Sequence, residues 1–125
     1  MQHVLVVEDL QIDRFMIKKE LSAAYQVTTL SSATEAGAFA RSHSFDIALI
    51  NVMLSDNLDS ITLLHELQSI RRSYFLPIAI SCYIDDRRYY KLNQAGFVSI
   101  LSKPFDKELF NSVVRNYFDT ALSIR

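Results

Sequence analysis

The sequence predicts an α/β fold, a doubly wound (βα)5 sandwich whose five-stranded parallel sheet carries helices on both faces. Three observations lead there. Five short apolar runs recur along the 125 residues, and each is followed by a longer segment of helical spacing. Crossovers of roughly 10–15 residues join parallel strands, because a parallel pair cannot close through a tight hairpin. Only two glycines and two prolines are present, which excludes collagen-like, linker-like and most turn-dense all-β chains.

The elements follow in order. Val4-Leu5-Val6-Val7 is β-branched and continuous, as in a strand buried on both faces. A helix is expected over roughly 11–23, with Phe15, Ile17 and Leu21 on its apolar side. Residues 25–30 alternate more and suit a partly exposed strand; 33–42 carries Ala36, Phe39 and Ala40 at helical spacing. Ile47-Ala48-Leu49-Ile50 is the third strand, and Ile61, Leu64, Leu67 and Ile70 stripe a helix over 60–71. Ile78-Ala79-Ile80, directly after Pro77, is the fourth strand, followed by a polar helix over 85–95 that Gly96 ends. Val98-Ser99-Ile100-Leu101 is the fifth, and Asp106 caps a last helix over 106–121.

The length fits one domain spanning 1–125, with a core that needs no staples. Thirteen Lys and Arg against fourteen Asp and Glu give a net charge of −1, without the basic excess of a nucleic-acid binder. The single cysteine, Cys82, cannot form an internal disulfide and suits a reducing cytoplasm. No segment approaches the ~20 apolar residues of a membrane span.

In a doubly wound sheet the ligand site lies at the carboxyl ends of the strands, where strand order reverses. Those ends carry Glu8-Asp9, Asn51, Ser81-Cys82 and Ser102-Lys103-Pro104. Adjacent carboxylates suit a hard cation such as Mg²⁺. A lysine and a hydroxyl opposite them suit phosphoryl oxygens. The plainer role of Glu8 and Asp9, favourable charge at the start of the first helix, explains the pair alone but not Ser81 and Lys103.

With those residues in place, the chain resembles the receiver domain of bacterial two-component response regulators over essentially its whole length. The resemblance rests on Val4-Leu5-Val6-Val7-Glu8-Asp9, on Phe45 to Leu54, and above all on Ala95-Gly96 through Lys103-Pro104-Phe105. The 22-residue step from Ser81 to Lys103 matches family spacing and selects Ser81 over Cys82. The resemblance implies a flavodoxin-like receiver fold, Mg²⁺ held by Glu8 and Asp9, and Ser81 as the switch hydroxyl. It implies Lys103 paired with the acceptor or the phosphoryl group, and a cis Lys103-Pro104 bond.

One departure changes the chemistry. The family's acceptor is an aspartate, and this chain has Asn51. An amide cannot form the acyl phosphate that a carboxylate forms. The cation site, Glu8, Asp9 and Asn51 with the Met53 backbone, is expected to be weak. Ser55 stands where a proline is usual, Asp59-Ser60 near a usual Asp-Gly with one inserted residue, and Ile100 where an aromatic reports the phosphorylated state. Asp46, Asp56 and Asp59 suit turns and solvation rather than a substitute acceptor.

The expectation is a receiver in phosphorelay signalling that works as a phosphorylation-independent protein-binding module, with no enzymatic activity. The competing reading is a conventional Mg²⁺-dependent switch carrying an Asp→Asn substitution. A flavin site is disfavoured by Glu8-Asp9 where phosphate-binding backbone would be needed. A His-Glu-x-x-His zinc motif at His65 fails at Ser69. The expected partner is a protein: a histidine kinase, an output protein or another receiver, with a homodimer suggested across helices four and five. Asp85 to Lys91 is charged and aromatic, and the last helix has a wide apolar face. Neither a nucleic acid nor a membrane is expected as partner, and no output domain is seen in this chain.

Overall fold

In the computed structural model, five strands and five helices alternate strictly along the chain. The structure describes residues 1–53, 59–70 and 74–123, with side chains to 119. The expectations at Ser55 and Asp56 lie outside the described residues. The elements are β1 (His3–Val7), α1 (Gln11–Leu21), β2 (Gln26–Leu30), α2 (Ala33–Ser42), β3 (Ile47–Asn51), α3 (Ser60–Ile70), β4 (Leu76–Ser81), α4 (Asp86–Ala95), β5 (Ser99–Ser102) and α5 (Lys107–Ser123). All pairings are parallel, in the order β2-β1-β3-β4-β5.

Alternation along each strand splits the core in two. Leu5, Val7, Ala48, Ile50 and Ala79 face one cluster, with Leu63, Leu64 and Leu67 of α3 and Leu92 of α4. Val4, Val6, Ile47, Leu49, Ile78 and Ile80 face the other, with Ile17 and Leu21 of α1 and Phe110 and Val114 of α5. The continuous apolar runs of β1, β3 and β4 are central and buried, whereas β2 is a partly exposed edge.

Pro77 lies inside β4 rather than ahead of it. Its carbonyl accepts from Val98 N at 3.0 Å, so its nitrogen faces the same side, ahead of the first β5 residue. No ladder bond is lost there. Asp106 Oδ1 accepts from Glu108 N at 2.9 Å and Leu109 N at 3.2 Å, the expected cap. The Lys103-Pro104 bond is cis.

Two apolar faces differ from expectation. Phe15 is 62% exposed on α1, beside exposed Ile12 and Met16, rather than in the core. The wide face of α5 is largely used: Phe110 and Val114 are buried, and Val113, Tyr117 and Phe118 pack against the core.

Gly96 ends α4 at φ 120°, a conformation L side chains rarely adopt. A Cβ there would meet Leu64 Cδ2 at 3.6 Å, ordinary contact, so backbone strain alone decides. Gly96→Ala is expected to cost about 1 kcal/mol in chemical denaturation. A neutral result would show that the turn relaxes.

Candidate functional site

The chain crosses from one side of β1 to the other between β2 and β3, so the switch point lies between β1 and β3. Glu8 and Asp9 leave the end of β1, Asn51 closes β3 beside them, Ser81 closes β4, and Lys103 follows β5. Adjacent parallel strands bring these ends side by side. Glu8, Asn51 and Ser81 are buried.

Asn51 Nδ2 donates to Glu8 Oε1 at 3.0 Å and to Asp9 Oδ1 at 3.0 Å. The amide nitrogen thus stands between the two carboxylates. Leu10 N also donates to Glu8 Oε1, at 3.2 Å. The Lys103 ammonium lies 2.8 Å from Glu8 Oε2 and donates to Asp13 Oδ2 at 2.7 Å. Among the described residues those two carboxylates are its partners, and Asn51 is not one of them. Among the described residues the Lys103 ammonium is the partner of Glu8 Oε2, which accepts no other hydrogen bond from them. Arg14 Nη1 donates to the backbone carbonyls of Glu8 at 2.8 Å and Asp9 at 2.9 Å, fixing the turn that carries both.

Burial pushes the Glu8 carboxyl above its ordinary range, against the pull of Lys103 and the Leu10 amide, with Asp9 adding to the rise. For Lys103, burial acts downward, but Asp13 and Glu8 together outweigh it and hold the ammonium above its usual value. Glu8 and Asp13 therefore share the Lys103 ammonium, while the Asn51 amide bridges Glu8 to Asp9.

Ser81 is turned toward its own loop. Its hydroxyl donates to Tyr83 O at 3.1 Å and accepts from Tyr83 N at 3.3 Å. Arg88, in the first turn of α4, reaches Met53 Sδ at 3.1 Å and stacks over the Tyr83 ring at 5.9 Å, linking the loops after β3 and β4. Ile100 packs partly buried against the α3 side of the core. Cys82 is exposed and free.

Sequence reasoning missed Asp13 and Arg14. Asp13 lies in the first turn of the helix that directly follows the acidic pair, which keeps it near the same edge, and that was the available signal. Arg14 acts through its guanidinium on backbone carbonyls, which no motif records.

The oxygen donors Glu8, Asp9 and Asn51 are of the type Mg²⁺ takes. As they stand, the Asn51 NH₂ faces both carboxylates and Lys103 holds Glu8 Oε2. A cation fits only if the amide turns its oxygen inward. Among the described residues no three His, Cys, Asp or Glu side chains converge on a metal position. No helix among them is long and apolar enough to cross a membrane.

This geometry has known relatives. A CheY-like response regulator receiver domain protein from Methanospirillum hungatei JF-1 superposes with a TM-score of 0.86 at 20% identity, covering 100% of this chain and 99% of that one. The receiver domain of the sensor histidine kinase PA1611 from Pseudomonas aeruginosa PAO1, solved with magnesium in its active site cleft, gives 0.81 at 23% identity over 92% and 95% of the two chains. The receiver domain of Francisella response regulator 1452 gives 0.81 at 26% identity over 96% and 99%. No curated protein matches the sequence. The response regulator receiver domain family matches residues 4–115, and so this chain belongs to that family, the receiver modules of two-component signal transduction.

Proposed function

We propose that this receiver acts without phosphorylation, as a protein-binding module in a phosphorelay. The observation that carries the reading is Asn51 Nδ2 bound to both Glu8 and Asp9. The amide satisfies one oxygen of each carboxylate by hydrogen bonding, and it leaves no carboxylate at the acceptor position to attack phosphorus. Mg²⁺, when bound, would neutralise phosphoryl charge; here Glu8, Asp9, Asn51 Oδ1 and the Met53 backbone would hold it weakly. Receiver domains are signalling modules, and nothing in this cluster calls for turnover.

A histidine kinase, an output protein or another receiver is the partner class this reading implies, in the cytoplasm. The face of α4, with Tyr89 and Tyr90 exposed and Leu92 alone buried, supports contact there, and exposed Leu109 is what α5 has left to add to it, including toward a second copy. The competing reading, a conventional switch carrying a substituted acceptor, predicts the same fold but a different response to reversion.

Incubation with acetyl phosphate and Mg²⁺ is expected to leave the chain unlabelled, with no acid-labile phosphate by intact-mass spectrometry. Stoichiometric labelling on any aspartate would sink the proposal. Mg²⁺ titration is expected to leave the melting temperature unchanged for the same reason.

A further inference from the structure

We propose that Asp13 is a positioning residue that holds the Lys103 ammonium away from position 51, silencing the site a second time. The inference rests on the phosphorylation-independent reading of Asn51 and extends it to a residue that reading does not need.

Lys103 is anchored at its backbone, where its N–H donates to Ser81 O at 2.8 Å at the end of the β4–β5 ladder. Its side chain then has a choice of anions. It lies between Glu8 Oε2 at 2.8 Å and Asp13 Oδ2 at 2.7 Å, with Asn51 outside its contacts. Glu8 alone would hold the ammonium at the mouth of the acidic cradle. Asp13, on the first turn of α1, pulls it toward that helix, where a cavity of about 200 Å³ opens between α1 and the Lys103-Pro104-Phe105 turn.

Negative charge in the first turn of a helix is favourable by itself. That alone does not explain a carboxylate in hydrogen-bond contact with a lysine 90 residues away. A second carboxylate on this lysine has a chemical consequence. An ammonium shared by two carboxylates is slower to follow a third group, whether an acceptor or a phosphoryl oxygen.

The test begins from Asn51→Asp, which supplies an acceptor. On labelling by acetyl phosphate, the introduced carboxylate oxygen attacks phosphorus, the bond from phosphorus to the acetyl oxygen breaks, and acetate leaves with the electron pair. Asn51→Asp is expected to label slowly. Adding Asp13→Asn is expected to raise the rate roughly fivefold, the scale of a partly exposed ion pair. In Asn51→Asp/Lys103→Met, the further Asp13→Asn change is expected to do nothing, because no ammonium remains to be redirected. A merely structural role for Asp13 would persist in that background.

Equal rates with and without Asp13→Asn overturn the inference, as does an increase that survives loss of Lys103. Absence of labelling in every variant, with folding verified by circular dichroism, overturns it too. Labelling of the parent chain, by contrast, would defeat the proposed function and leave the comparison between Asp13 variants standing.

Discussion

Lys103→Met is expected to remove about 2–3 kcal/mol of unfolding free energy at about pH 8, measured by urea denaturation. Methionine keeps most of the apolar stem and deletes the charge, so the loss reports the ion pairs rather than packing. Glu8 carries the effect, because only 1% of its side chain is exposed and Oε2 has no other partner among the described residues. Stranding a fully buried charge costs about 3–5 kcal/mol. The Lys103 side chain is 16% exposed and that of Asp13 31%, and water there lowers the figure. The raised pKa of Lys103 means its contribution is complete below the ordinary lysine range and fades only as pH climbs through the folded value.

Glu8 sets the acid side of the same experiment. Burial raises its folded pKa, so its charge destabilises the fold above that value, and the cost falls as pH drops through it. Without Lys103 the folded pKa rises further. The deficit of Lys103→Met should therefore shrink on acidification, and Lys103→Arg should lose less than Lys103→Met throughout. A deficit below about 1 kcal/mol at pH 8, or one that widens toward acid, would mean that Glu8 is already neutral or solvated.

What the sequence disclosed and what it withheld divide along a physical line. Strand and helix placement was legible because β1, β3 and β4 are buried on both faces and read as unbroken apolar runs, and because α3 carries Ile61, Leu64, Leu67 and Ile70 at three-residue steps. The strand ends were legible too, since parallel topology alone puts Glu8, Asn51, Ser81 and Lys103 on one edge. Partner choice within that edge was not. Which carboxylate Lys103 takes depends on where α1 settles against the sheet, a tertiary fact that brings Asp13 and Lys103 together across 90 residues. Nor does sequence reveal which way the Asn51 amide turns, and that orientation changes the acidic pair from an open cation site to a satisfied one.

Phe110→Ala is expected to have the larger packing effect, about 3–4 kcal/mol in thermal or urea unfolding, while Phe15→Ala stays within about 0.5 kcal/mol. Both are phenylalanines in helices that pack on the same face of the sheet, and both were placed on apolar sides by spacing. Phe15 and Ile17 are two residues apart, about 200° around a helix, so only one of them can face the sheet. Ile17 does, together with Leu21, and Phe15 is left 62% exposed. Phe110 is 0% exposed, edge-on to Tyr25 at 5.6 Å between ring centroids and tilted against Phe105 at 5.7 Å. Its removal leaves a cavity beneath α5 that Tyr25 cannot fill without abandoning its hydrogen bond to Asn111, 2.8 Å long. The ring of Phe105 follows Lys103-Pro104 directly, so loosening this contact should also loosen the turn that carries the ammonium. A variant pair with equal losses would show that the two rings share one environment, contrary to the packing of α1 and α5.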